Sequence, residues 1–170
     1  QLQRVSWKNQ VPIEIYLHES VPQEYYPAIQ TAMAQWEVQL KRPLFKIVGV
    51  LEGPNTGGEK DARNVIYMMD NWDPQKLDEQ GKTTIHWSGD IIYEADIQLN
   101  GSGVFSFFYG PQEVAGSVDM IGLMVHELGH ALGLQHNGTA GSVMAERLAS
   151  AVKRRDPGVQ DVEALRCEYN

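Results

Sequence analysis

The sequence predicts an α+β fold in a single domain, residues 1–170, and three observations carry that prediction. Ile13, Ile15 and Leu17 alternate with Glu14, Tyr16 and His18, the two-residue period of a half-buried strand. Ile29, Met33, Trp36 and Leu40 recur at the spacing of one helical face. Two strand-like runs, Thr83 to Trp87 and Ile91 to Asn100, flank Ser88-Gly89-Asp90, a hairpin signal.

Taken in order, the first strand is followed by Ser20, which offers an N-cap with Gln23 three residues on, so a helix is expected from about 22 to 40. Phe45 to Val50 and Asn64 to Met69 read as further strands, separated by a loop marked by Gly53, Pro54, Gly57 and Gly58. In the second hairpin arm, Ile91, Tyr93, Ala95, Ile97 and Leu99 are expected to face a core, with Glu94, Asp96, Gln98 and Asn100 facing outward. A last strand near Val104 to Tyr109 precedes a helix starting near Ser117. After His136 the chain reads as irregular through Met144, and Asp156-Pro157 opens a closing helix that runs to Tyr169.

With 42% hydrophobic residues, 170 residues suit one sizeable core. A net charge of −8 repels a phosphate backbone, which argues against nucleic acid as a partner. No apolar run approaches the roughly 20 residues of a membrane span, and the N-terminus lacks a basic segment followed by an apolar one. The chain is expected to be a monomer and a mature fragment of a longer exported precursor, secreted or otherwise extracytoplasmic. Cys167, the only cysteine, excludes an internal disulfide and reads as a packed thiol of the closing helix. Lys153-Arg154-Arg155 reads as a solvated surface run.

The chemistry concentrates in H-E-L-G-H-A-L-G-L-Q-H, which holds three of the five histidines: His126, His130 and His136. Residues four apart on a helix share a face, so His126 and His130 can point at one ion, with Glu127 beside it. Gly133 supplies a left-handed residue to stop the helix, and His136 then approaches from another direction. Three neutral imidazoles leave a dication its full charge, which favours ionisation of water and polarises a carbonyl. Gly133, His136 and the following Ser142-Val143-Met144 extend the short H-E-x-x-H signal to the longer metzincin motif.

On these residues the chain resembles the metzincin clan of zinc endopeptidases, and within it the matrixins, their bacterial and archaeal types included. Ile92 to Ile97 is similar to the edge strand that precedes the active-site helix in that family, and Gln160 to Tyr169 to its C-terminal helix. The resemblance implies a twisted, mixed five-stranded sheet with two long helices, an upper subdomain of about residues 1–136, and a small irregular lower subdomain of about 137–170 that ends in a helix. It implies one catalytic zinc on His126, His130 and His136, Glu127 as general base and acid, Met144 in a turn beneath the metal, and Asp161 buried near that turn. A polypeptide substrate is expected to bind extended along the outer edge of the strand from Ile91 to Asn100, which includes Ala95. Gly122 and Leu123 are expected to line a deep pocket for a large apolar side chain just past the scissile bond.

The chain departs from the pattern in places. Asn137 follows the third histidine where vertebrate matrixins have serine, and Glu146 stands where other metzincins have a tyrosine, so no tyrosine assistance is expected. Glu146-Arg147-Leu148 replaces the matrixin Pro-x-Tyr. His18 and His86 read as ordinary strand histidines, so a second zinc is not expected. Calcium stays open, because Asp70, Asp73, Asp78 and Asp90 fall in loops without EF-hand spacing. The competing reading is a catalytically idle, zinc-containing peptide-binding module, against which Glu127 argues.

Overall fold

A computed structural model describes residues 3–170. Its first strand, β1 (Ile13–His18), buries Ile13, Ile15 and Leu17 as their alternation requires. Ser20 does not cap the helix that follows. Its hydroxyl accepts from the Met68 amide at 3.0 Å and bonds His18 Nδ1 at 2.9 Å, so a 3-10 turn at Gln23–Tyr25 leads into α1 (Tyr26–Leu40) instead. Proline in the first turn of α1 helps there, since its fixed φ suits a helix start and its missing N–H has no helical partner to lose.

The remaining strands are β2 (Phe45–Leu51), β3 (Asn64–Met69), β4 (Gly81–Ser88) and β5 (Ile91–Asn100). They form a five-stranded mixed sheet in the order β2-β1-β3-β5-β4, parallel except where β4 runs antiparallel to β5. A short parallel pair follows, β6 (Ser106–Phe108) with β7 (Ser117–Asp119). The motif helix α2 (Met120–Ala131) therefore begins three residues later than the sequence suggests, because residues 117–119 are extended. The closing helix α3 spans Val159–Tyr169. No helix among the described residues is long and apolar enough to cross a membrane.

One apolar cluster joins α1, α2, α3 and the sheet, with Trp36, Ile66, Ile97, Leu99, Met124 and Leu128 fully buried in it. Trp36 also donates from its indole to the Val125 carbonyl at 2.8 Å, which ties α1 to the middle of α2. Burying that donor with its partner avoids the cost of an orphaned N–H.

β5 corrects two expectations. Ile91 and Tyr93 are 37% and 39% exposed, whereas Glu94, Asp96 and Asn100 lie at or below 1%. The ladder explains the shift: His86 pairs with Glu94 and Trp87 with Ile92, so Tyr93 is an extra residue that moves the phase of the alternation by one. Burial of the acidic side follows from the loop between β2 and β3. The Asp61 and Ala62 amides donate to the Glu94 carboxylate at 3.0 and 2.8 Å, and the Val65 amide donates to Asp96 Oδ1 at 3.0 Å. The second correction concerns position. β5 lies between β3 and β4, so it has no free edge, and Ala95, 5% exposed, pairs with Ile85. The open edge beside the motif helix belongs to β4.

Candidate metal centre and cleft

Helix α2 is fixed at both ends before any ligand is considered. Asp119 caps its start, accepting from the Ile121 amide at 3.2 Å, and Arg155 grips the same carboxylate with two bonds of 2.7 and 2.8 Å. Arg155 also donates to the Gly110 carbonyl at 2.9 Å, so it is not the solvated residue expected of a surface run. At the other end the Gly133 amide donates to the His130 carbonyl and the Leu134 amide to the Gly129 carbonyl, each at 2.9 Å. That pair of bonds is the Schellman closure, and it requires the left-handed φ of 96° that Gly133 adopts. A side chain at this position would also collide with the Val5 carbonyl.

This ending directs the histidines. His126 Nδ1 bonds the Val143 carbonyl and His130 Nδ1 the Leu134 carbonyl, each at 2.8 Å. A carbonyl only accepts, so both rings carry their proton on Nδ1 and present Nε2 as a bare lone pair. The two Nε2 atoms face one another at 3.1 Å. Two acceptors at that distance repel unless a cation lies between them. The edge of a tetrahedral zinc site with Zn–N near 2.05 Å is about 3.3 Å, close to the spacing found. His136, exposed at the cleft, completes a group whose ligand atoms all lie within 4.8 Å of one another, and the donor set is the three-imidazole one that suits zinc. Burial, reinforced by the neighbouring His130, pushes His126 down to about 4, and burial lowers His130 as well, so both stay neutral and able to ligate near pH 7.

The chain returns to this group through the turn at Met144, whose neighbour Val143 bonds His126. Asp161 on α3, 1% exposed, accepts from Ser142 Oγ at 2.5 Å, from the Val143 amide at 2.9 Å and from the Gly158 amide at 2.8 Å. The Met144 amide then donates to Ser142 Oγ at 3.0 Å, and its carbonyl accepts from the Asn137 amide at 2.8 Å. The turn is thus fastened to α3 on one side and to the segment carrying His136 on the other. Gly129 has to be glycine because a Cβ there would overlap Met144 Sδ and the Trp36 ring.

Glu127 is 4% exposed and turns toward β4, where Thr83 Oγ1 donates to its Oε2 at 2.6 Å. Burial pushes its carboxyl up to about 7, with the Thr83 bond pulling the other way. Together with the histidines it lines a cleft of about 1200 Å³ that runs between β4 and the chain after Met144.

The profile of the matrixin family matches residues 7–170. The chain belongs to the matrixins. No curated protein matches it individually. The family is one of zinc metallopeptidases, and in this matrixin His126, His130 and His136 can bind the zinc.

The other expected site residues of this matrixin do not all reach the cleft. Leu123 lines the cleft, as do Glu146, Arg147 and Leu148 after the turn. Gly122 does not line it: a Cβ there would lie 3.1 Å from both the Arg154 carbonyl and Asp119 Oδ2, so the missing side chain makes room for main chain instead of deepening a pocket. Ala95 sits one strand away from the open edge. His18, buried, bonds Ser20 Oγ at 2.9 Å and the Gly53 carbonyl at 3.1 Å, and His86 stacks on Tyr93. Cys167 is exposed, against the expectation of a packed thiol. Thr83 and Gln80 border the cleft and nothing in the sequence marked them, because the groups they touch lie 44 and 68 residues away along the chain.

Proposed function

We propose that this matrixin is an endopeptidase that hydrolyses internal bonds of extended polypeptides, with one zinc held by His126, His130 and His136 and with Glu127 as general base. The observation that carries the reading is the pair of bare Nε2 atoms 3.1 Å apart, lining one cleft with a carboxylate that is held by the open edge strand of the sheet. When bound, zinc would supply the positive charge that acidifies a water and polarises a peptide carbonyl. Glu127 takes a proton from the attacking water and returns it to the leaving amine. Thr83 on Oε2 fixes the carboxylate and leaves Oε1 to make both transfers. His126 and His130 hold their tautomers through the Val143 and Leu134 carbonyls.

A chain adding to β4 gains main-chain hydrogen bonds along that edge, and the side chains between them meet the apolar lining of Ile85, Trp87, Leu123 and Leu148. Such pairing reads extended conformation before sequence, which suits unstructured polypeptide.

The test is cleavage mapping on an unfolded protein substrate by mass spectrometry, with metal content measured after exhaustive dialysis. Internal cleavage, one zinc per chain, loss of activity on chelation and recovery with zinc are expected. A zinc-loaded protein that cuts no internal bond would overturn the reading, and a stoichiometry near two that survives substitution of His86 would overturn the single ion.

A further inference from the structure

The cleft is crossed at one end. Gln80, immediately before β4, donates from Nε2 to the Leu148 carbonyl at 2.9 Å, and Arg147 reaches the Asp78 carboxylate at 3.5 Å. All four residues border the cleft, two on each rim. The upper rim is anchored at this point, since the Asn100 amide donates to the Gln80 carbonyl at 2.9 Å and the Asn100 side chain to the Glu79 carbonyl at 2.8 Å. The crossing lies three residues from Thr83, which holds Glu127, a distance of about 10 Å along a strand.

A peptide lying on β4 adds antiparallel by preference, which sends its residues after the scissile bond toward Gly81 and Gln80. It meets the crossing at about its third residue on that side. There the Leu148 carbonyl is a main-chain acceptor facing the cleft, and the amide on it has the same donor chemistry as a peptide N–H. We propose that Gln80 stands in for the amide of a bound chain, and that its clasp on Leu148, seconded by Arg147 on Asp78, determines how far a substrate extends past the scissile bond. Chains that end within two residues pass inside the closed clasp, whereas longer chains open it and take the Leu148 carbonyl themselves. This rests on the metal group and peptide site proposed above.

The clasp is a bias and not a wall. The Arg147 and Asp78 side chains are 82% and 69% exposed, and an exposed ion pair or a single neutral hydrogen bond shifts an equilibrium by a factor of a few to about ten. Gln80 is therefore a specificity-determining residue whose removal changes length preference.

Hydroxamate-capped peptides of two and six residues test it, because the hydroxamate anchors at zinc and the peptide extends to the C-terminal side only. Binding to the zinc-loaded protein is measured for each length. Gln80→Ala and Arg147→Glu should each tighten the six-residue ligand relative to the two-residue one, by a factor of a few to about ten. Combining Arg147→Asp with Asp78→Arg should restore the parent ratio. Ratios that stay the same in both single variants overturn the clasp, as does a change seen only for ligands extended from a C-terminal hydroxamate toward the N-terminal side. Binding of the ligands by a protein that hydrolyses nothing overturns the endopeptidase reading and leaves the clasp standing; failure to bind either ligand overturns both.

Discussion

Glu127 and Asp96 are both carboxylates taken out of water, at 4% and 1% exposure, and burial pushes each up to about 7. Their surroundings differ. Glu127 projects from α2 into the cleft, has one oxygen on the Thr83 hydroxyl, and shares the cleft with three imidazoles. Asp96 projects from β5 beneath the loop between β2 and β3, has one oxygen on the Val65 amide, and leaves Oδ2 with no partner among the described residues. Two groups raised to a similar value thus separate into one that borders a cleft and one enclosed by the fold. Perturbation alone does not identify a catalytic group; access and a second reacting group do.

The comparison breaks most visibly in turnover. Glu127→Gln should cost at least the roughly 100- to 10,000-fold typical of a general base while zinc stays bound, since the residue is not a ligand. Asp96→Asn should leave turnover within a few-fold. His130→Ala should lose zinc and activity together, because it removes one of the three proposed ligands. Steady-state cleavage of an unfolded substrate, read beside zinc content, separates these outcomes. Equal losses in Glu127→Gln and Asp96→Asn would abolish the distinction.

A smaller effect sharpens it. Thr83→Val deletes the one side-chain donor on Glu127 while keeping the shape of the strand residue. That bond lowers the carboxyl, so its loss raises it further. A base works deprotonated, and the acid limb of kcat/KM should therefore move to higher pH, with kcat falling by about tenfold as the carboxylate loses its orientation. A merely structural threonine would lower stability without moving the limb, so an unchanged pH profile would refute the role.

How much of this was legible beforehand follows from the range of the forces involved. The helix, its glycine stop and the three histidines were readable because they are set by local geometry over eleven residues, 126–136. Asp161 was reached by resemblance, and the structure gives it three hydrogen bonds. The faces of β5 were misread because one inserted residue, Tyr93, reverses the phase and a distant loop covers Glu94 and Asp96. The edge was misplaced for a related reason. Which hairpin arm lies outside depends on β3 pairing with β5 across 31 residues, and neither arm encodes that choice. Gly122 failed through its surroundings, the Arg154 carbonyl being 32 residues further along.

The smallest effect is on stability, and its sign tests the Asp96 side of the comparison. Its carboxyl stands at about 7 in the folded chain against 3.8 when free. Below the lower value it is protonated in both states and costs nothing. Between the two it is protonated only when folded, so the folded state binds the extra proton and stability falls as pH rises, by at most about 1.4 kcal/mol per unit. Above 7 the charge is buried and the loss is complete. Asparagine keeps an oxygen for the Val65 amide and never charges, so Asp96→Asn should melt near the parent at pH 4 and progressively above it by pH 7.5. For a chain of 170 residues the gap amounts to a few degrees per pH unit at most. Glu127 titrates in the same window but is present in both proteins and cancels in the difference. Melting curves that stay parallel from pH 4 to pH 7.5, or a variant that loses ground as pH rises, would show that the unpartnered oxygen of Asp96 is not a buried charge, and the contrast with Glu127 would rest on geometry alone.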